Sequence, residues 1–141
     1  MVNVSYHISV SASRQKIWKV YMDKVEHPEK YIGGVGHVEF QELDGGRRLR
    51  TMQRNGVDVK EIITPDEERG VTHFELQNHP VYNGFIETGI RELNGELVLD
   101  YKLRWEAHTG PEKPEEIEAW FEKAVMDTVK SIQGKHQPAS A

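Results

Sequence analysis

The sequence predicts an α+β fold: a strongly curved seven-stranded antiparallel sheet wrapped around a long C-terminal helix, with two short helices between strands one and two. Three observations predict it. Leu97, Leu99, Tyr101, Leu103 and Trp105 alternate with Val98, Asp100, Lys102 and Arg104, and a side-chain period of two is that of a half-buried strand. From Val35 to about Trp105 such segments follow one another through Asp44-Gly45-Gly46, Asn55-Gly56, Pro65 to Gly70, Asn78 to Gly84 and Asn94-Gly95, all turn signals, with no helical pattern between them. After Pro114 the period changes, and Ile117, Trp120, Phe121, Ala124, Val125, Thr128 and Ile132 form one helical stripe.

The elements follow in order. Val2, Val4, Tyr6, Ile8 and Val10 alternate with Asn3, Ser5, His7 and Ser9, which makes the first strand. Ser11 or Ser13 caps the first helix, whose apolar positions Ile17, Val20, Tyr21 and Val25 recur at helical spacing. Pro28 and Glu29 start a second, very short helix that Gly33-Gly34 stops. Six strands then meander to Trp105. Pro114, Glu115 and Glu116 suit the positive end of the final helix, Lys130 and Lys135 its negative end, and Gly134 its stop. A single domain is expected over residues 1–136, with a loose tail at 137–141.

Composition narrows the function. The 141 residues contain no cysteine, which excludes disulfides, thiolate metal ligands and a cysteine nucleophile. With 18 Lys+Arg against 23 Asp+Glu, the net charge of −5 argues against a nucleic-acid partner. There is neither an 18-residue apolar run for membrane insertion nor a signal-peptide pattern, so a cytoplasmic protein is expected, as monomer or homodimer. The seven histidines show no HxH or HExxH spacing, and no phosphate loop or nucleophile elbow occurs; neither a metal nor another cofactor is implied.

Two-residue turns set the register of the strands they join. Around Asn94-Gly95, Ile90 falls opposite Leu99, Thr88 opposite Tyr101 and Ile86 opposite Leu103. Around Asn55-Gly56, Leu49 meets Ile62, Arg50 meets Glu61 and Thr51 meets Lys60; a two-residue turn at Asp44-Gly45 sets Phe40 opposite Leu49. This places Phe40, Leu49 and Ile62 inside and Glu39, Arg50 and Glu61 in a solvated outer row, while Lys60 points inward beside Thr51. Inward lysine is costly unless it is paired, reaches water or sheds its proton. Seven strands about 4.8 Å apart span more than ~30 Å, against about 10 to 12 Å for one helix, so the sheet must curl and leave room beneath it.

The order of elements resembles the helix-grip fold of the SRPBCC superfamily, which includes START, polyketide cyclase and birch-pollen-allergen proteins. Ile17-Trp18, Tyr31-Ile32-Gly33-Gly34, Val59-Lys60-Glu61 and GELVLDYKLRWEA at the seventh strand are similar to its AtaL-like subgroup. The resemblance implies a hydrophobic cavity for a lipid, aromatic or polyketide-like small molecule. It further implies either a binding module or, alternatively, a cyclase, aromatase or dehydratase that works by positioning and proton transfer.

Polar groups facing such a cavity orient its ligand. The candidate ligand contacts are Tyr6, Phe40, Thr51, Phe74, Thr88, Leu99, Tyr101, Leu103 and Trp105 on the sheet. Trp120, Phe121, Ala124 and Thr128 join them from the final helix, and Tyr31 and Tyr82 from the rim. The candidate catalytic donors or bases are Lys60, Tyr101 and His79.

Overall fold

A computed structural model describes residues 1–134; the tail expected at 137–141 lies outside them. The elements are β1 (Val2–Val10), α1 (Arg14–Glu26), β2 (Val35–Glu42), β3 (Arg48–Arg54), β4 (Val57–Asp66), β5 (Val71–Gln77), β6 (Tyr82–Leu93), β7 (Glu96–Ala107) and α2 (Pro114–Gln133). The second short helix is a single 3-10 turn, Pro28–Lys30. All seven strands form one antiparallel sheet in the order β1-β7-β6-β5-β4-β3-β2.

Local chemistry explains the elements. Ser13 is the cap of α1, its side chain accepting from the Lys16 N–H at 3.1 Å. Gly134 ends α2 in the left-handed conformation at φ 73°. Asn55 and Asn94 have positive φ, 51° and 52°, as do Gly56 and Gly95, which is the backbone that a primed hairpin turn demands. The β6–β7 register is the expected one, with Ile90 opposite Leu99, Thr88 opposite Tyr101 and Ile86 opposite Leu103.

The β2–β3 turn differs from expectation, and the difference propagates. The Leu43 N–H donates to the Arg47 carbonyl at 2.9 Å, so Asp44, Gly45 and Gly46 form a three-residue loop with both glycines at positive φ. One extra residue shifts the register by one: Phe40 faces Arg50 rather than Leu49. A one-residue slip moves every side chain to the other face. The β3–β4 pairing itself is as expected, Arg50 with Glu61 and Thr51 with Lys60, but its two faces are exchanged. Arg50, Met52, Glu61 and Ile63 are buried inside, whereas Leu49, Thr51 and Ile62 lie on the outer face and Lys60 is exposed. The outer charged row expected for Arg50 and Glu61 is corrected accordingly.

The main core lies under α2, where Phe121, Val125, Val129 and Ile132 meet Leu99, Tyr101 and Leu103 of β7 and Ile17 and Tyr21 of α1. The Tyr21 hydroxyl anchors α1 to β6 by donating to the Gly89 carbonyl at 2.9 Å. A second, smaller core of Val25, Ile63 and Phe74 sits beneath β4 and β5. Because α2 packs chiefly on β1 and α1, it does not close over the sheet's other half.

Candidate functional site

A cavity of about 200 Å³ lies between the sheet and the two helices, lined by residues of both cores. This is small beside the roughly 300–1,000 Å³ of sites for drug-sized ligands. Its aromatic wall is continuous: Trp105 stacks on Trp120 at 5.7 Å between centroids, Tyr82 lies 5.5 Å from Trp105, and Phe121 lies 6.2 Å from Trp120. Phe74, Ile86, Met52, Val59 and Ile117 complete the apolar lining. Tyr82 also sets the approach of α2, since its hydroxyl accepts from the Lys113 N–H at the helix start at 2.9 Å.

Among the expected residues, Phe74, Tyr82, Thr88, Tyr101, Trp105, Trp120, Phe121, Ala124 and His79 line this cavity. The others stand elsewhere. Leu99, Leu103 and Thr128 are fully buried in packed core, and Tyr6 lies beside Phe121 at 5.9 Å. Tyr31 donates from its hydroxyl to Asp23 Oδ2 at 2.8 Å, and Phe40 lies under the Arg48 guanidinium at 4.0 Å. Thr51 and Lys60 point away from the interior, on the outer face that the β2–β3 turn assigns them, so Lys60 is no amine for a cavity substrate.

The amine in the cavity is Lys24, from α1. It is half-buried and borders the Arg50–Glu61 pair, which the sequence paired but placed on the outer face. Arg50, 3% exposed, donates to Glu61 Oε1 at 2.7 Å, and Glu61 is 5% exposed. The same guanidinium donates to the Val25 carbonyl at 3.0 Å and the Lys24 carbonyl at 3.4 Å. These carbonyls belong to the last turn of α1 and have no partner within the helix, so a sheet arginine serves as the C-terminal cap. Lys24 Nζ donates to Thr128 Oγ1 at 3.1 Å. Burial, and then the positive charge of Arg50, push its amine down to about 8, against the opposing pull of Glu61 and Asp127. Arg54 places its guanidinium 4.4 Å over the Trp120 ring and donates from Nε to the Gly33 carbonyl at 3.3 Å.

Four buried polar atoms on lining residues have no hydrogen-bond partner within the protein: Arg50 Nε, the Tyr101 hydroxyl, Trp105 Nε1 and Trp120 Nε1. An unpaired buried polar group costs about 1–3 kcal/mol. All four are able to donate, and the three nitrogens can do nothing else. Burial raises the Tyr101 phenol well above its ordinary range, with the Tyr21 hydroxyl opposing in part, so Tyr101 keeps its proton at neutral pH. His79 accepts at Nδ1 from the Val81 and Tyr82 N–H groups at 3.1 and 3.0 Å. Its neutral ring therefore carries the proton on Nε2. Burial and the neighbouring His108 lower its basicity, so His79 is a donor rather than a base.

No family model and no curated protein sequence matches the chain. Solved structures do. Ara h 8.0201 superposes with a TM-score of 0.70 at 15% identity, over 94% of each chain. This chain has the helix-grip fold. The Zhui aromatase/cyclase from Streptomyces sp. R1128 matches at a TM-score of 0.66 and 18% identity, over 94% of this chain and 92% of that one. A START superfamily protein from Mycobacterium smegmatis matches at 0.61 and 16%, over 92% and 97%. These likenesses establish the helix-grip fold; the resemblance to the SRPBCC superfamily and its AtaL-like subgroup rests on the order of elements and the sequence motifs. No helix among the described residues is long and apolar enough to cross a membrane.

Proposed function

We propose that the protein binds a small hydrophobic molecule in the cavity between the sheet and α2. The observation that carries this reading is the 200 Å³ space walled by stacked aromatic rings. Apolar walls with a few convergent polar groups are what hold and orient such a ligand. The likeness to a START protein supports it. The test is native mass spectrometry of freshly purified protein, run beside Ala124→Leu, which adds side-chain volume to the cavity wall. A co-purified organic adduct on the parent that is lost from the variant, with unchanged circular dichroism, is the expected result. An adduct that survives the substitution overturns the location.

A second reading is an enzyme of the cyclase, aromatase or dehydratase kind, favoured by two hydrogen-bond donors on one cavity, Tyr101 and the Nε2–H of His79. The likeness to an aromatase/cyclase supports it. Such catalysis would rest on holding a carbonyl substrate folded and stabilising, by hydrogen bonds, the negative charge that develops on its oxygen. Turnover of an oligoketide-like substrate that disappears in Tyr101→Phe while binding persists would distinguish it from simple binding.

A further inference from the structure

We propose that the ligand is a flat aromatic acid, its ring against Trp105, Trp120 and Phe121 and its anionic oxygens seated by Lys24 and Arg54. This rests on the hydrophobic-ligand reading above and adds the charge and acceptor content of the ligand.

Charge balance is the first argument. The cavity is lined by three cationic side chains, Lys24, Arg50 and Arg54, and by one carboxylate, Glu61. Arg50 and Glu61 neutralise one another at 2.7 Å. Among the described residues, neither Lys24 nor Arg54 has an acidic side chain as hydrogen-bond partner. Lys24 has the neutral Thr128 hydroxyl, and Arg54 has a carbonyl and the face of an indole. An ammonium has three donors and a guanidinium five, so both have donors to spare. Glu61 and Asp127 offset Lys24 in part, and Glu61 offsets Arg54, yet both cations keep spare donors beside an apolar wall, where an anion is attracted more strongly than in water.

Hydrogen-bond polarity is the second argument, and it is independent of charge. Every unpartnered buried polar atom on the lining residues is a donor: Arg50 Nε, the Tyr101 hydroxyl, Trp105 Nε1 and Trp120 Nε1. Their complement is a molecule rich in acceptor oxygens, such as a carboxylate with phenolic or carbonyl oxygens. The aromatic wall supplies the third argument, because stacked indoles favour a planar partner.

The charged groups facing Lys24 are Arg50 from β3, Glu61 from β4 and Asp127 from α2. An arriving carboxylate offsets Arg50 and favours the ammonium form, so binding above neutral pH takes up a proton.

The experiment compares 2-naphthoate with 2-naphthamide, which share shape and size but differ in charge, titrated into the full chain at pH 7 by calorimetry. The acid is expected to bind at least tenfold more tightly than the amide. Lys24→Met should reduce affinity for the acid at least tenfold and leave the amide within twofold. Acid and amide binding the parent equally would overturn the proposal while the hydrophobic-ligand reading stands. Equal loss of both ligands in Lys24→Met, with near-ultraviolet circular dichroism unchanged, would do the same. Failure of both ligands to bind the parent would overturn the proposal and the cavity-binding reading together. The acid–amide comparison on the parent needs no variant to fold.

Discussion

Replacing Glu61 with leucine tests the inward placement of β3 and β4 directly. Among the described residues the carboxylate is the anionic partner of Arg50, at 2.7 Å, and both residues are at most 5% exposed. Glu61→Leu leaves a guanidinium in the interior with two carbonyl partners, a free Nε and the Lys24 amine as a neighbouring cation. Breaking a buried pair by removing one partner costs about 3–5 kcal/mol. For a chain of this length that corresponds to a fall in Tm of roughly 10–20 °C. Had the pair stood on the solvated face that a two-residue β2–β3 turn implies, the loss would be about 0–1 kcal/mol. Arg50→Met adds a second leg: it strands the Glu61 carboxylate and uncaps the carbonyls of Lys24 and Val25. The double variant Arg50→Met/Glu61→Leu removes both charges, so its cost should fall short of the sum of the singles by about 2–3 kcal/mol. Urea denaturation followed by circular dichroism measures all three. A Glu61→Leu loss below about 1 kcal/mol, or strict additivity in the cycle, would refute the reasoning.

Three further outcomes follow from the same geometry. Gly84 sits at φ +136°, where an added Cβ would collide with the Arg104 carbonyl oxygen, so Gly84→Ala should cost at least about 1–3 kcal/mol in thermal denaturation. Lys60→Met and Thr51→Val lie on the outer face and should each change stability by no more than about 0.5 kcal/mol, with naphthoate affinity unchanged by calorimetry. Lys24 has its amine lowered from 10.5 to about 8 in the folded protein, so between those values the unfolded chain binds the extra proton and stability rises with pH. The urea midpoint of the parent, measured from pH 7.5 to 10.5, should therefore gain on that of Lys24→Met as pH increases; parallel curves would contradict the desolvation of this amine.

The buried cluster also bears on what the cavity is for. An ion pair inside a protein is weak support for stability, and apolar side chains of similar volume commonly do as well or better. Arg50 is partly explained as the cap of α1, whereas Lys24 and Arg54 have no carboxylate among their hydrogen-bond partners in the described residues. Groups whose titration is displaced by burial beside a specific charge cluster at functional sites, and these border the aromatic cavity.

Sequence alone determined the parts of this protein that depend on neighbours along the chain. Alternation specified β1 and β7, Asn-Gly pairs specified two hairpins and their registers, and one apolar stripe specified α2, because strand period, turn backbone and helix period are all local properties. The aromatic wall was legible for the same reason: Tyr101 and Trp105 share a face of β7, and Trp120 and Phe121 open the stripe of α2. Alternation has no sign, however. It says that a strand has two faces and leaves open which is inside, and in β3 and β4 the inward face carries Arg48, Arg50, Arg54 and Glu61 among its apolar residues while the outer face carries Leu49 and Ile62. Their orientation was settled by whether the loop holds two residues, Asp44 and Gly45, or three with Gly46, and the third residue turned Arg50 and Glu61 inward and Lys60 outward. The adjacent glycines, both at positive φ, are the one local sign of the longer loop. Only the tertiary structure decided the chemistry of the cavity, because Lys24 of α1, Arg50 and Arg54 of β3 and Glu61 of β4 acquire a common environment when α1 docks on the sheet.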